Sequence, residues 1–352
     1  MKKSNVLYVF ALMAIFLGSC SDDNEGPSEP LGDYENGYFV TNEGPFQNGS
    51  GTITFIGDDG TVAQNVFKTV NGEDLGNIVN SMYLTEDKGY IVVNNSSKIV
   101  VVNRFTMEKE AVISGENIAN PRHFVASEGK GYISNWGDPF VTDDDYISVI
   151  NLDSNTVIET IAVGEGPERM LLSGNSLLVC LKGGYGSNNK VVVIDVDSNS
   201  IDQSLVVGDV PNSITFDNEG NIRVLCQGNL AWTGNESKGS LHKIDPVSFE
   251  LASLEFAMEE HPEHLNAGIG GLYYNLNGKV YQMNSNDTDL PQTGIEGLDG
   301  YYYSMSVKNG ELYATDAMDF GSEGQLKVFN LSGGFLLQTI VTGIVPGQVV
   351  FP

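Results

Sequence analysis

The chain has 352 residues, with 18 Lys and Arg against 46 Asp and Glu, and a net charge of −28 at neutral pH. So acidic a composition argues against a nucleic-acid binder and against a peripheral protein of anionic membranes, both of which need basic surface. Three cysteines cannot build a disulfide framework, so a chain of this length must rely on a hydrophobic core, and 41 glycines against 12 prolines predict many tight turns.

The first element is a signal peptide over residues 1–19. Lys2 and Lys3 give it a positive start, Val6 to Leu17 is apolar, and Leu17-Gly18-Ser19-Cys20 closes it with small residues before a cysteine. The apolar run is too short to cross a bilayer as a stable helix. Leu-Gly-Ser-Cys resembles a lipobox, which implies cleavage before Cys20 and a lipid on its thiol. Removing the signal takes away two lysines and leaves 16 basic residues against 46 acidic, a charge of −30. Residues 20–36 follow as an acidic tether, in which Ser21-Asp22-Asp23-Asn24-Glu25-Gly26-Pro27 is too polar to bury. It is similar to the export signal that sends some lipoproteins to the cell exterior. The expected location is the outer membrane of a Gram-negative type of cell, lipid-anchored and exposed at the cell surface.

Residues 37–352 read as one repeated domain. Pro121-Arg-His-Phe, Pro167-Glu-Arg-Met, Pro211-Asn-Ser-Ile and Pro262-Glu-His-Leu open alike at spacings of 46, 44 and 51, and Pro346-Gly-Gln-Val closes the chain. The intervals from Gly37 to Pro121 and from Pro262 to Pro346 are both 84, or two units each, so seven units of about 44 result. Each holds short runs rich in β-branched residues, such as Gly89 to Asn94, Gly131 to Asn135, Ile99 to Asn103 and Val191 to Asp195, separated by Asn, Asp and Gly. No stretch keeps helical apolar spacing over a useful length. The pattern predicts an all-β fold, a seven-bladed β-propeller of four-stranded blades. Tyr38 to Asn42 matches a second strand with no first strand before it, and Gln348 to Phe351 a first strand with nothing after it. The C-terminal strand is therefore expected to join the first blade and close the ring.

These units resemble YVTN-type propeller repeats. The last third carries the likeness furthest, with Lys279-Val-Tyr-Gln-Met, Asp289-Leu-Pro, Tyr302-Tyr-Ser-Met-Ser-Val, Glu311 to Phe320 and Gly343-Ile-Val-Pro-Gly347 in order, and Asn42-Glu43-Gly44-Pro45-Phe46 near the start. It is similar to the surface propeller lipoproteins that partner TonB-dependent transporters, among them the cobalamin-capture lipoproteins. The resemblance implies a non-catalytic protein that binds cobalamin or a related corrinoid and passes it to the transporter, itself a monomer apart from that partner. Similar propellers bind siderophores, and others are lactonases.

If the innermost strand of each blade runs away from the top face, that face carries the loops between blades and those between second and third strands. These loops hold Phe46, Asn95, Trp136, Phe140, Tyr185, Trp232, Tyr302, Asp316 and Phe320. Aromatics in polar, glycine-rich loops suit a platform for a large, partly apolar ligand. Arg122, His123 and Arg169 open the innermost strands and are expected to point at the axis, either to bind an anionic group or to neutralise Glu168 and Glu263 beside them. The same basic group would have to carry a lactonase-like reaction. No resident cofactor is expected. Asp143-Asp144-Asp145 and Asp316 with Asp319 are possible calcium ligands without the spacing of a known calcium loop, and the proline in His261-Pro-Glu-His264 argues against a helical metal pair.

Overall fold

Runs such as Lys98-Ile-Val-Val-Val-Asn103 are apolar at every internal position because both faces of the strand are covered. The coverage comes from neighbouring blades. The computed structural model describes residues 31–46 and 48–352, so the signal peptide, Cys20 and most of the tether lie outside the described residues. Seven antiparallel blades stand in a ring. In blade 2 the order from the axis outward is Val79–Leu84, Lys88–Val93, Lys98–Asn103 and Lys109–Ser114. Blades 3, 4 and 5 repeat it, with innermost strands Pro121–Ser127, Pro167–Ser173 and Pro211–Phe216.

The ring closes as expected. Pro346–Val350, at the C-terminus, is the innermost strand of blade 1 and pairs with Gly37–Asn42, through Phe39 with Val350 and Val40 with Val349. The core is divided into seven clusters, one in each gap between neighbours. Cys180 and Cys226 lie unpaired in the gap between blades 4 and 5. Each apolar side chain so covered contributes about 1.5–3 kcal/mol relative to exposure.

Blade 6 departs from the four-stranded expectation. It has three strands, Glu263–Gly268, Gly271–Leu276 and Lys279–Met283. Its outer edge is covered by an irregular segment in which Ile295 N donates to Val280 O at 2.8 Å and Val280 N to Leu298 O at 3.2 Å. Asn284, Asp287, Pro291, Gly294 and Gly297 crowd that segment, and such residues favour turns over a continuous ladder. One short helix, Val66–Asn71, fills the link between blades 1 and 2. Tyr34, in the stretch read as tether, donates its N–H to Phe105 O and packs edge-on against Phe55.

One corner geometry recurs before the innermost strands. Ile78, Asn120, Gly166, Val210 and Val345 all have φ between 48° and 71°. The carbonyl of each accepts a bond from the first residue after its blade's second strand: Asn94, Trp136, Lys182, Gln227 and Glu43. Left-handed backbone is costly for valine, so Val210 and Val345 are held there by the ring around them. This repeat sets a circle of equivalent side chains at the top of the axis.

Candidate functional site

The innermost strands of all seven blades surround a central channel with a cavity of about 420 Å³. Arg122 and His123 reach it from blade 3, Arg169 from blade 4, His264 from blade 6 and Gln348 from blade 1. Three of the post-strand positions, Glu43, Lys182 and Gln227, line its upper part. They escape a search for loop aromatics and strand-opening arginines, although their place directly after each second strand is a readable signal.

Glu168 organises one wall. Arg122 Nη2 lies 3.0 Å from Glu168 Oε1 and Arg122 Nε 3.1 Å from the same oxygen, while His123 Nε2 donates to Oε2 at 3.2 Å. Burial alone would raise this carboxyl, but Arg122 and the His123 bond outweigh it and hold Glu168 well below the usual carboxylate range. Burial, reinforced by Arg169 and opposed by Glu168, pulls the His123 imidazole down to about 4. The neutralising alternative is therefore the one realised for Arg122. Across the ring Tyr303 donates to Glu43 at 2.8 Å, and burial raises the Glu43 carboxyl against the pull of that bond. His264 Nε2 donates to Tyr302 O at 3.0 Å and His261 Nδ1 to Gln227 O at 3.0 Å, and among the described residues no group of three metal-ligating side chains gathers around either ring.

Above the channel stands a crown. Phe46, Phe140, Tyr185, Trp232 and Phe320 come from the loops between second and third strands of blades 1, 3, 4, 5 and 7, and are 59–86 % exposed. Trp232 rides on a single turn, Ala231–Thr233, in the longest of these loops, residues 227–239 of blade 5, and belongs to none of the core clusters. Two contact chains tie crown to channel. Phe140 meets Tyr185 at 5.8 Å, Tyr185 meets the Trp136 edge at 5.8 Å, and Trp136 lies over the Arg122 guanidinium at 4.3 Å. On the other side Phe320 packs edge-on against Tyr303 at 5.8 Å.

A family described as a domain of unknown function, DUF5074, matches residues 36–267. The chain belongs to that family. No curated protein sequence matches it. Among solved structures this DUF5074 chain is similar to a quinonprotein alcohol dehydrogenase-like protein from Bacteroides thetaiotaomicron, with 17% identity over 90% of this chain and 78% of that one and a TM-score of 0.65. Kuenenia stuttgartiensis hydrazine synthase matches at 15% identity over 83% and 90% of the two chains, TM-score 0.58. AztD from Citrobacter koseri matches at 10% identity over 89% and 97%, TM-score 0.54. At these identities the likeness is one of fold.

The DUF5074 propeller does not display every residue expected on its top face. Trp136 is buried, its Nε1 donating to Pro167 O at 3.1 Å, because it follows Asn135 directly and turns back into the blade interface. Tyr302 is core between blades 6 and 7, and its neighbour Tyr303 takes the channel position. Asp316 is held by Lys327 at 2.8 Å, while Asp319 caps its own turn through Gly321 N and Ser322 N, so the two do not converge. Asn95 lies on the top loop of blade 2 and donates to Asn77 Oδ1 at 2.7 Å. In the aspartate run Asp144 Oδ2 accepts Asp138 N at 2.9 Å, and Asp145 Oδ2 accepts Gly166 N.

Proposed function

We propose that this DUF5074 propeller is a lipid-anchored capture protein that takes a large, ring-bearing ligand on its aromatic crown and passes it to an outer-membrane TonB-dependent transporter. The observation that carries this reading is the crown itself. Five exposed aromatics from five blades encircle one polar channel, which is an expensive arrangement for a surface facing only water. Attachment through Cys20, at the outer membrane and facing outward, would place the crown where a scarce external nutrient arrives. A corrinoid is the first candidate and a ferric siderophore the second, since both offer broad faces for stacking and polar groups for the rim. A lactonase-like reaction would need Arg122, His123 and Arg169 free to meet substrate, and Glu168 engages the first two, which favours capture.

Calorimetric titration with cyanocobalamin and with a ferric catecholate tests the reading. Truncating a well-buried interfacial tryptophan costs about 2 kcal/mol, or roughly thirtyfold in affinity, so Trp232→Ala should weaken the productive ligand by that order. Neither ligand binding to the folded protein, or equal binding by Trp232→Ala and Phe140→Ala, would contradict it.

A further inference from the structure

Arg169 and Lys182 stand out in a chain with 46 acidic residues: among the described residues neither makes an ion pair, and no side-chain hydrogen bond is formed by either. Both belong to blade 4, on neighbouring strands at the same end, where Pro167 pairs with Leu181 and Lys182 N donates to Gly166 O at 2.7 Å. Both line the central cavity. Glu168 acts on both through space, but no carboxylate of the channel reaches ion-pair distance of either. Glu168 is taken by Arg122 and His123, Glu43 holds the Tyr303 hydroxyl, and Glu263 receives the Gln227 amide. Recessed cations are costly unless an opposite charge meets them, and a guanidinium offers five donors in a fixed fork suited to oxyanions.

We infer that Arg169 and Lys182 form a subsite for an oxyanion, the phosphate or carboxylate of the ligand captured on the crown above. The inference rests on the capture reading for its source but not for its chemistry, since a free oxyanion should bind as well. His123 and His264 face the same space as neutral rings and Arg122 is held by Glu168, so the two blade 4 cations supply the positive charge left without an ion pair there.

The experiment is titration of the purified protein at low ionic strength with inorganic phosphate and with acetate, followed by calorimetry and by thermal melting. Phosphate should bind and raise the melting temperature. Arg169→Gln and Lys182→Gln should each weaken it at least tenfold, and the double variant should abolish it, while Trp232→Ala leaves it unchanged. In anion-free buffer Arg169→Gln should melt no lower than the parent, because the parent recesses an unpaired charge. No phosphate binding by the folded parent, or undiminished binding by the double variant, overturns the subsite. If cyanocobalamin or the ferric catecholate binds with its Trp232 dependence but ignores the double variant, the crown stands and the subsite falls. If phosphate binds at Arg169 and Lys182 but neither large ligand binds, the subsite stands and the capture reading falls.

Discussion

Two tryptophans in loops of the same class do opposite work. Trp136 is the first residue after its strand and Trp232 the sixth after Cys226, so one is captured by the blade interface and the other escapes it. Trp136→Ala should destabilise the fold by about 3–5 kcal/mol, the usual cost of emptying a buried aromatic site, as read from denaturant unfolding. Trp232→Ala should change stability by no more than about 0.5 kcal/mol. Equal effects would contradict these placements. A second residue-scale prediction concerns Asp145, which is 4% exposed. Burial, countered by the Gly166 N–H and reinforced by Asp144 and Glu165, pushes its carboxyl up to about 7 from 3.8. A raised carboxyl binds its proton more tightly in the folded state, so its stabilising contribution is complete below pH 4 and is lost as pH rises towards 7. Asp145→Asn should therefore melt above the parent at pH 8, by about 1 kcal/mol or more, with the gap closing towards pH 4. A pH-independent difference would show that Asp145 ionises normally.

At the scale of elements, the closing strand was legible because a second-strand pattern opens the domain and a first-strand pattern ends it. Its bonds show what closure holds. Gln348 N donates to Thr41 Oγ1 at 2.9 Å within blade 1, and Gln348 Oε1 accepts Met82 N at 3.0 Å from blade 2. Deleting residues 346–352 should lower the melting temperature severely, since it removes an innermost strand and opens the gaps on both sides. An unchanged melting curve would mean that the ring does not depend on it. The missing fourth strand of blade 6 was not legible. The repeat spacing there still equals two units, and only the turn-forming composition of residues 284–300 marks the irregular cover.

Across the whole molecule, the fold could be read from recurring prolines and β-branched runs because each unit meets the same two-sided burial. The site was legible in part. Loop aromatics show as apolar residues among polar ones, so Phe46, Phe140, Tyr185, Trp232 and Phe320 stand out, whereas Glu43, Lys182 and Tyr303 look like ordinary loop residues until the ring gathers them. Pairing is also invisible along the chain, since Arg122 and Glu168 are 46 residues apart. The crown over the channel is the feature on which the proposed capture rests, and the two tryptophans provide its most direct test. Acrylamide quenching of tryptophan emission should show one accessible and one protected component in the free protein. Saturating ligand should shield Trp232 and leave Trp136 as it was; a Trp232 that stays fully quenchable at saturation would contradict a ligand seated on the crown.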